Sequence, residues 1–181
     1  TAVRSSTYLT LSWDKVSGAS GYRIYRYNTD AQAYEKVITL TSGSTVSYKI
    51  TGLAAAKEYQ FKVRAYRKVD GVTTWGSSSA AYKDSTKPGQ TKSLKASSKS
   101  SAVTLKWNKV TRASGYQVYR YNSKTKKYEK LATVKGNATF SYKNTKLKKG
   151  TTVKYKVRAY KTYNGTNYYG AFSDIVSIKV K

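Results

Sequence analysis

The chain has 181 residues and a formal net charge of +27, and it contains no cysteine, histidine or methionine. Without cysteine there is no disulfide, thiol nucleophile or thiolate metal site, and without histidine the commonest general base and metal ligand is missing. These absences argue against an enzyme, and we expect no cofactor. No apolar run approaches the ~20 residues that a membrane-spanning helix needs, so no transmembrane segment is expected.

Short runs of alternating apolar residues follow one another between turn signals. In chain order, the first half contains YLTLSW, GYRIYRY, YEKVITL, TVSYKI and EYQFKVRAY as predicted strands, and DKVSGASG, NTDAQ, TSGS and VDGVTT as predicted turns. Apolar residues at a period of two favour strands, and clusters of Gly, Asn, Asp and Ser favour turns. No segment has a convincing helical period. An all-β chain forming antiparallel sandwiches is therefore predicted.

The second half of the chain repeats the first at an offset of 94 residues without a gap. Of 87 aligned positions 34 are identical, and GYRIYRYN at Gly21–Asn28 returns as GYQVYRYN at Gly115–Asn122. Such a period is too long for a solenoid and suits two tandem domains, predicted as residues 1–87 and 88–181 with a linker at KPGQ. A first strand is predicted near residues 93–96 of the second copy. Its counterpart would precede Thr1, so we expect a truncated first strand and a chain cut from a longer protein.

Three features resemble the fibronectin type III family. They are a strand that ends in tryptophan, the stretch SGASGYRIYRYN, and a leucine six residues before the tyrosine of EYQFKVRAY. More narrowly, the chain is similar to type III modules of Gram-positive (Firmicutes) surface and secreted proteins. The resemblance covers both copies and implies two tandem immunoglobulin-like β-sandwiches, an extracellular location and no catalytic residue.

The resemblance also implies a core and a tyrosine corner. The core would contain Leu11, Trp13, Tyr22, Ile24, Leu53, Tyr59, Phe61 and Val63 in the first copy, and Leu105, Trp107, Tyr116, Val118, Leu147, Tyr155 and Val157 in the second. Tyr59 fits the tyrosine corner, whose hydroxyl bonds to the backbone upstream. The second copy has Val153 at that position, so this hydrogen bond should be absent there.

One sheet face is predicted to carry aromatic and cationic side chains. Because alternate residues of a strand face opposite sides, Tyr22 and Ile24 in the core turn Arg23 and its alternating neighbours outward. The candidate exposed face comprises Arg23, Tyr25, Tyr27, Arg64, Tyr66, Tyr119, Tyr121, Arg158 and Tyr160. Two interpretations stay open: a cross-strand lattice that serves the fold, or a platform for a sugar or polyanion. Repetition in both copies favours the lattice.

The positive charge is concentrated in the second copy. Residues 1–87 carry 13 basic and 6 acidic side chains, whereas residues 88–181 carry 22 and 2. Type III topology, as the resemblance implies it, places three loops of the second copy at one end of the sandwich, which we call the basic pole. Its candidate polyanion-binding residues are Lys99, Lys124, Lys126, Lys127, Lys146, Lys148 and Lys149.

Two interpretations of the basic pole stay open. The lysines either keep a surface soluble, or they contact an anionic polymer such as teichoic acid, cell-wall glycan or host glycosaminoglycan. Specific nucleic acid is not expected, because no nucleic-acid motif is present. Trp75, Tyr163 and Tyr168 are candidate loop aromatics that could stack on a sugar, although Trp75 is more simply explained as packing where strand G begins. The acidic residues lack calcium-loop spacing, and no metal site is expected.

The sequence therefore predicts a non-catalytic extracellular module pair of a larger bacterial secreted or surface protein. It would act in adhesion or spacing, with an anionic polysaccharide or cell wall as partner of the second domain and neighbouring domains of the parent chain beside it. The alternative is a secreted fragment that acts as a ligand for a host surface protein. Polyanion binding should fade with salt, and protein binding should tolerate it.

Overall fold

The computed structural model describes residues 3–181, which form β-strands joined by turns. The chain divides into two compact units, Thr1–Thr86 and Lys87–Lys181. The first unit contains β1 (Val3–Arg4), β2 (Leu9–Ser12), β3 (Gly21–Asn28), β4 (Ala33–Leu40), β5 (Ser47–Ile50), β6 (Glu58–Val69), β7 (Val72–Ser78) and β8 (Tyr82–Ser85). The second contains β9 (Lys95–Lys99), β10 (Ala102–Lys106), β11 (Gly115–Asn122), β12 (Lys127–Lys135), β13 (Ser141–Asn144), β14 (Thr152–Tyr163), β15 (Thr166–Tyr169) and β16 (Val176–Lys179). The predicted all-β class is confirmed.

Each unit has two antiparallel sheets with the same strand order. In the first unit the order is β1-β2-β5 in one sheet and β4-β3-β6-β7 in the other, and β8 also pairs with β6. In the second it is β9-β10-β13 and β12-β11-β14-β15, and β16 pairs with β14. Strands β6 and β14 have twelve residues each, so each accommodates two short partners along one edge. This is the predicted pair of immunoglobulin-like sandwiches.

Alternating residues of both sheets form the core of each unit. In the first, Leu9, Ile24 and Phe61 are completely buried, and in the second Leu105, Tyr116 and Val157 are. Trp13 packs on Tyr22 with ring centroids 5.4 Å apart, and Trp107 packs on Tyr116 at 5.3 Å. The two buried tyrosine hydroxyls accept hydrogen bonds from backbone N–H groups of the preceding turn, from Val16 at 2.9 Å and from Val110 at 2.8 Å. The inward assignment of Tyr22 and Ile24 is confirmed.

The two cores differ at the tyrosine corner. The Tyr59 hydroxyl accepts a hydrogen bond from the backbone N–H of Ala54 at 2.7 Å, as predicted. In the second unit Val153 packs against the core instead. There the polar contact moves two residues along the strand, where Asn144 Nδ2 donates to the Tyr155 hydroxyl at 2.8 Å.

Three predicted boundaries differ from the structure or lie partly outside it. The turn in VDGVTT is confined to Asp70 and Gly71, both with positive φ, and Val72 already starts β7. The first strand of the second unit begins at Lys95 rather than at residue 93, because Ser93 has a φ of 56° and cannot extend a strand. The counterpart of that strand in the first unit was predicted to precede Thr1, outside the described residues. The described residues begin with the short strand β1, which pairs with β2.

Candidate functional site

Cations and rings of the first unit pack against one another on the outer face of the β3–β6–β7 sheet. The guanidinium carbon of Arg23 lies 4.1 Å from the centroid of the Trp75 ring, and that of Arg64 lies 5.6 Å from it. Arg64 Nε also donates to the carbonyl oxygen of Gly76 at 2.6 Å. Trp75 is half-buried within β7, 5.0 Å from the ring of Tyr66. Trp75 therefore packs in the first half of β7, between two cations of its own sheet.

The second unit repeats this arrangement around Arg158. Its guanidinium carbon lies 3.9 Å from the Tyr169 ring centroid and 4.9 Å from that of Phe172. Arg158 also donates two hydrogen bonds to Gln117 Oε1, at 2.9 and 3.1 Å, and one to the Tyr119 hydroxyl at 2.7 Å. Gln117 is buried, so it holds the guanidinium in place from below. The arginine is thus engaged by its own sheet, as the lattice interpretation requires.

Toward the other end of the same sheets, lysines stack on the tyrosines of the β4 and β12 strands. Lys62 Nζ lies 4.6 Å from the Tyr34 ring centroid, and Lys156 Nζ lies 4.4 Å from that of Tyr128. Tyr27 contacts Tyr34 at a centroid distance of 5.2 Å, as Tyr121 contacts Tyr128 at 5.3 Å. Burial raises the pKa of Tyr128 above its ordinary value, and the neighbouring Tyr121 raises it to a smaller extent.

Sequence reasoning missed several ring partners of these cations and tyrosines. Tyr34, Tyr128 and Tyr169 lie on neighbouring strands, and Phe172 lies in the segment after β15. Tyr34 and Tyr128 occupy equivalent positions in the two copies and stand opposite Tyr27 and Tyr121 in the register. That repetition was a usable signal.

Two members of the candidate face are not exposed. Tyr66 and Tyr160 lie on the predicted side of the sheet, but they are only 9% and 7% exposed, so their assignment as exposed residues was wrong. Each stands opposite a glycine, Gly21 or Gly115, and lies flat over it. The remaining members, Arg23, Tyr25, Tyr27, Arg64, Tyr119, Tyr121 and Arg158, are half-buried.

The other two candidate loop aromatics belong to strands. Tyr163 is the last residue of β14 and stands opposite Thr166, whereas Tyr168 lies in β15 opposite Lys161. Both are half-buried. The turn between the strands is Asn164-Gly165, so neither ring is at the tip of the hairpin.

All seven lysines of the basic pole are exposed, and hydrogen bonds join the loops that carry four of them. Leu147 N donates to the carbonyl of Ser101 at 2.9 Å, and Ser101 N donates to the carbonyl of Lys181 at 2.8 Å. Gly150 N donates to the carbonyl of Val180 at 2.9 Å. Lys99, Lys146, Lys148 and Lys149 therefore project from one bonded set of loops. Lys179 and Lys181, which sequence reasoning missed, are brought to it by the last strand.

The turn between β11 and β12 carries the other three lysines at the same end of the sandwich. Asn122 Oδ1 accepts from the backbone N–H of Lys124 at 2.9 Å, and Asn122 Nδ2 donates to both oxygens of Glu129 at 3.0 Å. Thr125 Oγ1 donates to Glu129 at 2.7 Å. The hydrogen bonds from Asn122 and Thr125 lower the pKa of the Glu129 carboxyl. This fixed turn presents Lys124, Lys126 and Lys127 to solvent.

The described part of the chain holds no cluster of three or more acidic side chains that could bind a metal ion. Nor does a helix long and apolar enough to cross a membrane occur between residues 3 and 181. The exposed lysines of the basic pole offer ammonium groups, which attract anions.

Each sandwich pairs a three-stranded sheet with a five-stranded one, which defines the immunoglobulin-like class. A model of the fibronectin type III domain family matches residues 1–80. A two-domain fibronectin type III segment of chicken tenascin has the same fold, with a TM-score of 0.57 and 19% identity over 100% of this chain and 96% of that chain. The chain is thus similar to a tandem pair of fibronectin type III domains, with the family match in the first unit, and we call the two units domain 1 and domain 2.

Curated relatives are bacterial and much longer. The chain is 28% identical over 156 residues to the tRNA(Glu)-specific nuclease WapA of Bacillus subtilis subsp. natto (strain BEST195), and 27% identical to the tRNA nuclease WapA of Bacillus subtilis (strain 168). Each match covers 65% of this chain and 7% of the relative. The chain thus corresponds to a small segment of these relatives.

Proposed function

We propose that the chain is a non-catalytic module pair of a longer, extracellular bacterial protein, and that domain 2 attaches it to an anionic polymer of a cell wall or host surface through the basic pole. The family and the small share of the relatives' length support a role as one segment among several. The tRNA nuclease activity in the relatives' names belongs to those whole proteins.

The observation that carries the proposal is the arrangement of the basic pole. Four of its seven exposed lysines project from one hydrogen-bonded set of loops and three from the turn between β11 and β12, in a domain whose acidic side chains are only Glu129 and Asp174. Exposed lysines attract a polyanion over a distance of about a Debye length, ~8 Å at physiological salt. Their attachment should therefore be weak at each contact, cumulative along a polymer and strongly dependent on salt.

The contacts of the arginines on the candidate exposed face favour the basic pole over that face as the binding site. Arg158 and Arg23 already stack on rings of their own sheet, and Arg158 is hydrogen-bonded as well. A ligand there would have to compete with these contacts. The lysines of the basic pole are exposed to solvent. They can therefore bind a ligand without first breaking a stacking contact of the kind that holds the arginines.

The test compares two variants of equal charge. The pole variant changes Lys124, Lys127, Lys148 and Lys149 to Ser, and the control variant changes Lys92, Lys109, Lys130 and Lys135 to Ser. All eight lysines are exposed and none has a positive φ, so the substitutions leave both folds unstrained. Retention of each protein is measured on heparin and on purified Gram-positive cell wall across a salt gradient. A column of immobilised tRNA serves as a comparison polyanion.

The pole variant should elute at clearly lower salt than the control on heparin or on cell wall. Equal elution of the two variants would show that retention follows net charge and would refute the pole. Stronger pole dependence on tRNA than on either polysaccharide would replace the proposed partner by a nucleic acid. Salt-independent retention on host cells, unaffected in the pole variant, would support a receptor protein instead.

A further inference from the structure

The outer face of the β9–β10–β13 sheet contains a groove in domain 2 that we call the outer groove. It has a volume of about 550 Å³ and is lined by Ser97, Lys99, Ser100, Ala102, Thr104, Lys143 and Thr145. Thr104 lies at its centre, with Ser97 opposite on one side and Lys143 opposite on the other. Lys99 stands opposite Ala102.

The groove exists because one aromatic ring of domain 1 has no counterpart in domain 2. At the offset of 94, Ala102 corresponds to Tyr8 and Lys143 corresponds to Lys49. In domain 1 the Lys49 Nζ lies 3.9 Å from the centroid of the Tyr8 ring, so this lysine is stacked on an aromatic of its own sheet. In domain 2 the methyl group of Ala102 takes the place of the ring. Ala102 itself is only 7% exposed, but the groove holds no ring at this position, and Lys143 has no such ring to stack on.

The lining of the groove defines the chemistry of its occupant. Strands β9, β10 and β13 read KASSK, AVTLK and SYKN, with no carboxylate to neutralise Lys99 or Lys143. Lys95 and Lys106, opposite each other in the register, add charge at one end of the same face. Hydroxyls of Ser97, Thr104 and Thr145 lie between the lysines. The volume falls in the range of ~300–1,000 Å³ typical of small-ligand sites. Six of its seven lining residues carry a hydroxyl or an ammonium group.

We infer that the outer groove binds a short segment of a sugar or polyol polymer that carries phosphate or sulfate. The ammonium groups of Lys99 and Lys143 would pair with the anionic groups of the ligand, and the threonine and serine hydroxyls would bond with its hydroxyls. This inference rests on the proposed function. It adds a concave site of defined shape to the basic pole, which is a set of exposed charges. Charge complementarity is what singles out this occupant.

The experiment uses the whole chain and a substitution that leaves the charge unchanged. Ala102→Tyr restores the residue of domain 1 and closes the groove. Since the equivalent position holds a tyrosine in domain 1, the variant is expected to fold. Lys143→Gln is a second variant, and Lys49→Gln in domain 1 is its matched control. The probes are a heparin tetrasaccharide, a glycerol phosphate oligomer and uncharged maltotetraose, each followed by backbone amide NMR shifts.

At least one charged probe should shift the amides of Ser97, Thr104 and Lys143, and Ala102→Tyr should weaken this binding about tenfold or more. Lys143→Gln should weaken it too, and Lys49→Gln should not. Preference between the two charged probes identifies sulfate or phosphate as the anionic group. Equal binding of maltotetraose, or charged-probe shifts confined to the loops of the basic pole, would overturn the inference.

Failure of the groove and failure of the pole give different results. The pole variant retains Lys99 and Lys143, so its tetrasaccharide shifts in the groove should persist while its column retention falls. Ala102→Tyr should do the reverse. If Ala102→Tyr leaves the shifts unchanged while the pole variant loses retention, the groove is refuted and the proposed function stands. If both variants behave as the wild type in both assays, both proposals are wrong.

Discussion

The Tyr66 hydroxyl oxygen lies beside Gly21 where a side chain would stand, 2.6 Å from the position of a β-carbon on that glycine. The carbonyl oxygen of Leu40 is nearer still to that position, at 2.1 Å. Domain 2 has the same relationship between Tyr160 and Gly115, with the hydroxyl at 2.7 Å. In both domains the ring covers an otherwise bare stretch of strand, and the hydroxyl of Tyr66 donates to the carbonyl of Leu40 at 3.3 Å.

This relationship predicts that Gly21→Ala destabilises domain 1. The new β-carbon would collide with a backbone oxygen and a ring held in place by Trp75, so neither can move without loss of packing. We expect a loss of ~1–3 kcal/mol, typical of overpacking. Urea unfolding followed by NMR reads the two domains separately. Gly76→Ala, in β7 of the same sheet, is the control, since its β-carbon would meet its nearest neighbour at 3.6 Å. Equal stability of the two variants would contradict the account.

The fold could be predicted from the sequence because the evidence for it is local and repeated. Alternation in GYRIYRYN places Tyr22 and Ile24 inward, and the offset of 94 does so again for Tyr116 and Val118. The exposure of Tyr66 was predicted wrongly because it depends on which residue of the neighbouring strand stands opposite. Its side of the sheet follows from alternation, but its burial depends on standing opposite Gly21, on a strand 45 residues away. No pattern within one strand contains that pairing.

The candidate sites were predictable to different extents. The prediction that the lysines collect at one end of the sandwich rested on the type III topology that the resemblance implies, whereas the ring contacts of Arg158 depend on Tyr169 and Phe172 from a separate segment. The outer groove depends on the absence of a ring at Ala102, which is noticed only when Lys49 is seen to stack on Tyr8 in the other copy.

The contacts of Arg158 with Gln117, Tyr169 and Phe172 predict the effect of Arg158→Lys. This substitution should lower the stability of domain 2 without changing attachment to polyanions. Lysine keeps the charge but cannot make the forked contact with Gln117, whose side chain is 6% exposed and whose Oε1 would keep only the Tyr119 hydroxyl as a donor. We expect a loss of ~1–3 kcal/mol in urea unfolding. Salt-gradient retention on heparin should match that of the wild type. Reduced retention with unchanged stability would instead make this face a binding platform.

The hydrogen bond between Asn144 and Tyr155 takes the place of the tyrosine corner in domain 2. Its removal should lower the stability of domain 2, and a second substitution should restore it. Tyr155→Phe leaves the buried Asn144 amide without its acceptor, which should cost ~1–3 kcal/mol. Domain 1 has Ile50 and Phe61 at the two equivalent positions, both buried. The double variant Asn144→Ile with Tyr155→Phe transplants that apolar pair and should recover most of the loss. Thermal unfolding of wild type, both single variants and the double variant measures the coupling. Additive losses would show that the two residues do not act as a pair.

The Tyr82–Asp84 contact predicts a loss of stability in alkali. Burial and the hydrogen bond that the Tyr82 hydroxyl donates to Asp84 at 2.8 Å raise the pKa of Tyr82 to about 12, from an ordinary value of 10.0. Below pH 10 both the folded and the unfolded chain keep this proton. Between pH 10 and 12 the unfolded chain releases it while the folded chain retains it, so the free energy of unfolding falls as pH rises. Tyr82→Phe has no proton to lose, so the difference in urea midpoint between the two proteins should shift in favour of the variant across this window. The difference in phenolate absorbance between the two proteins isolates the titration of Tyr82, and a midpoint near pH 10 in that difference would refute the assignment.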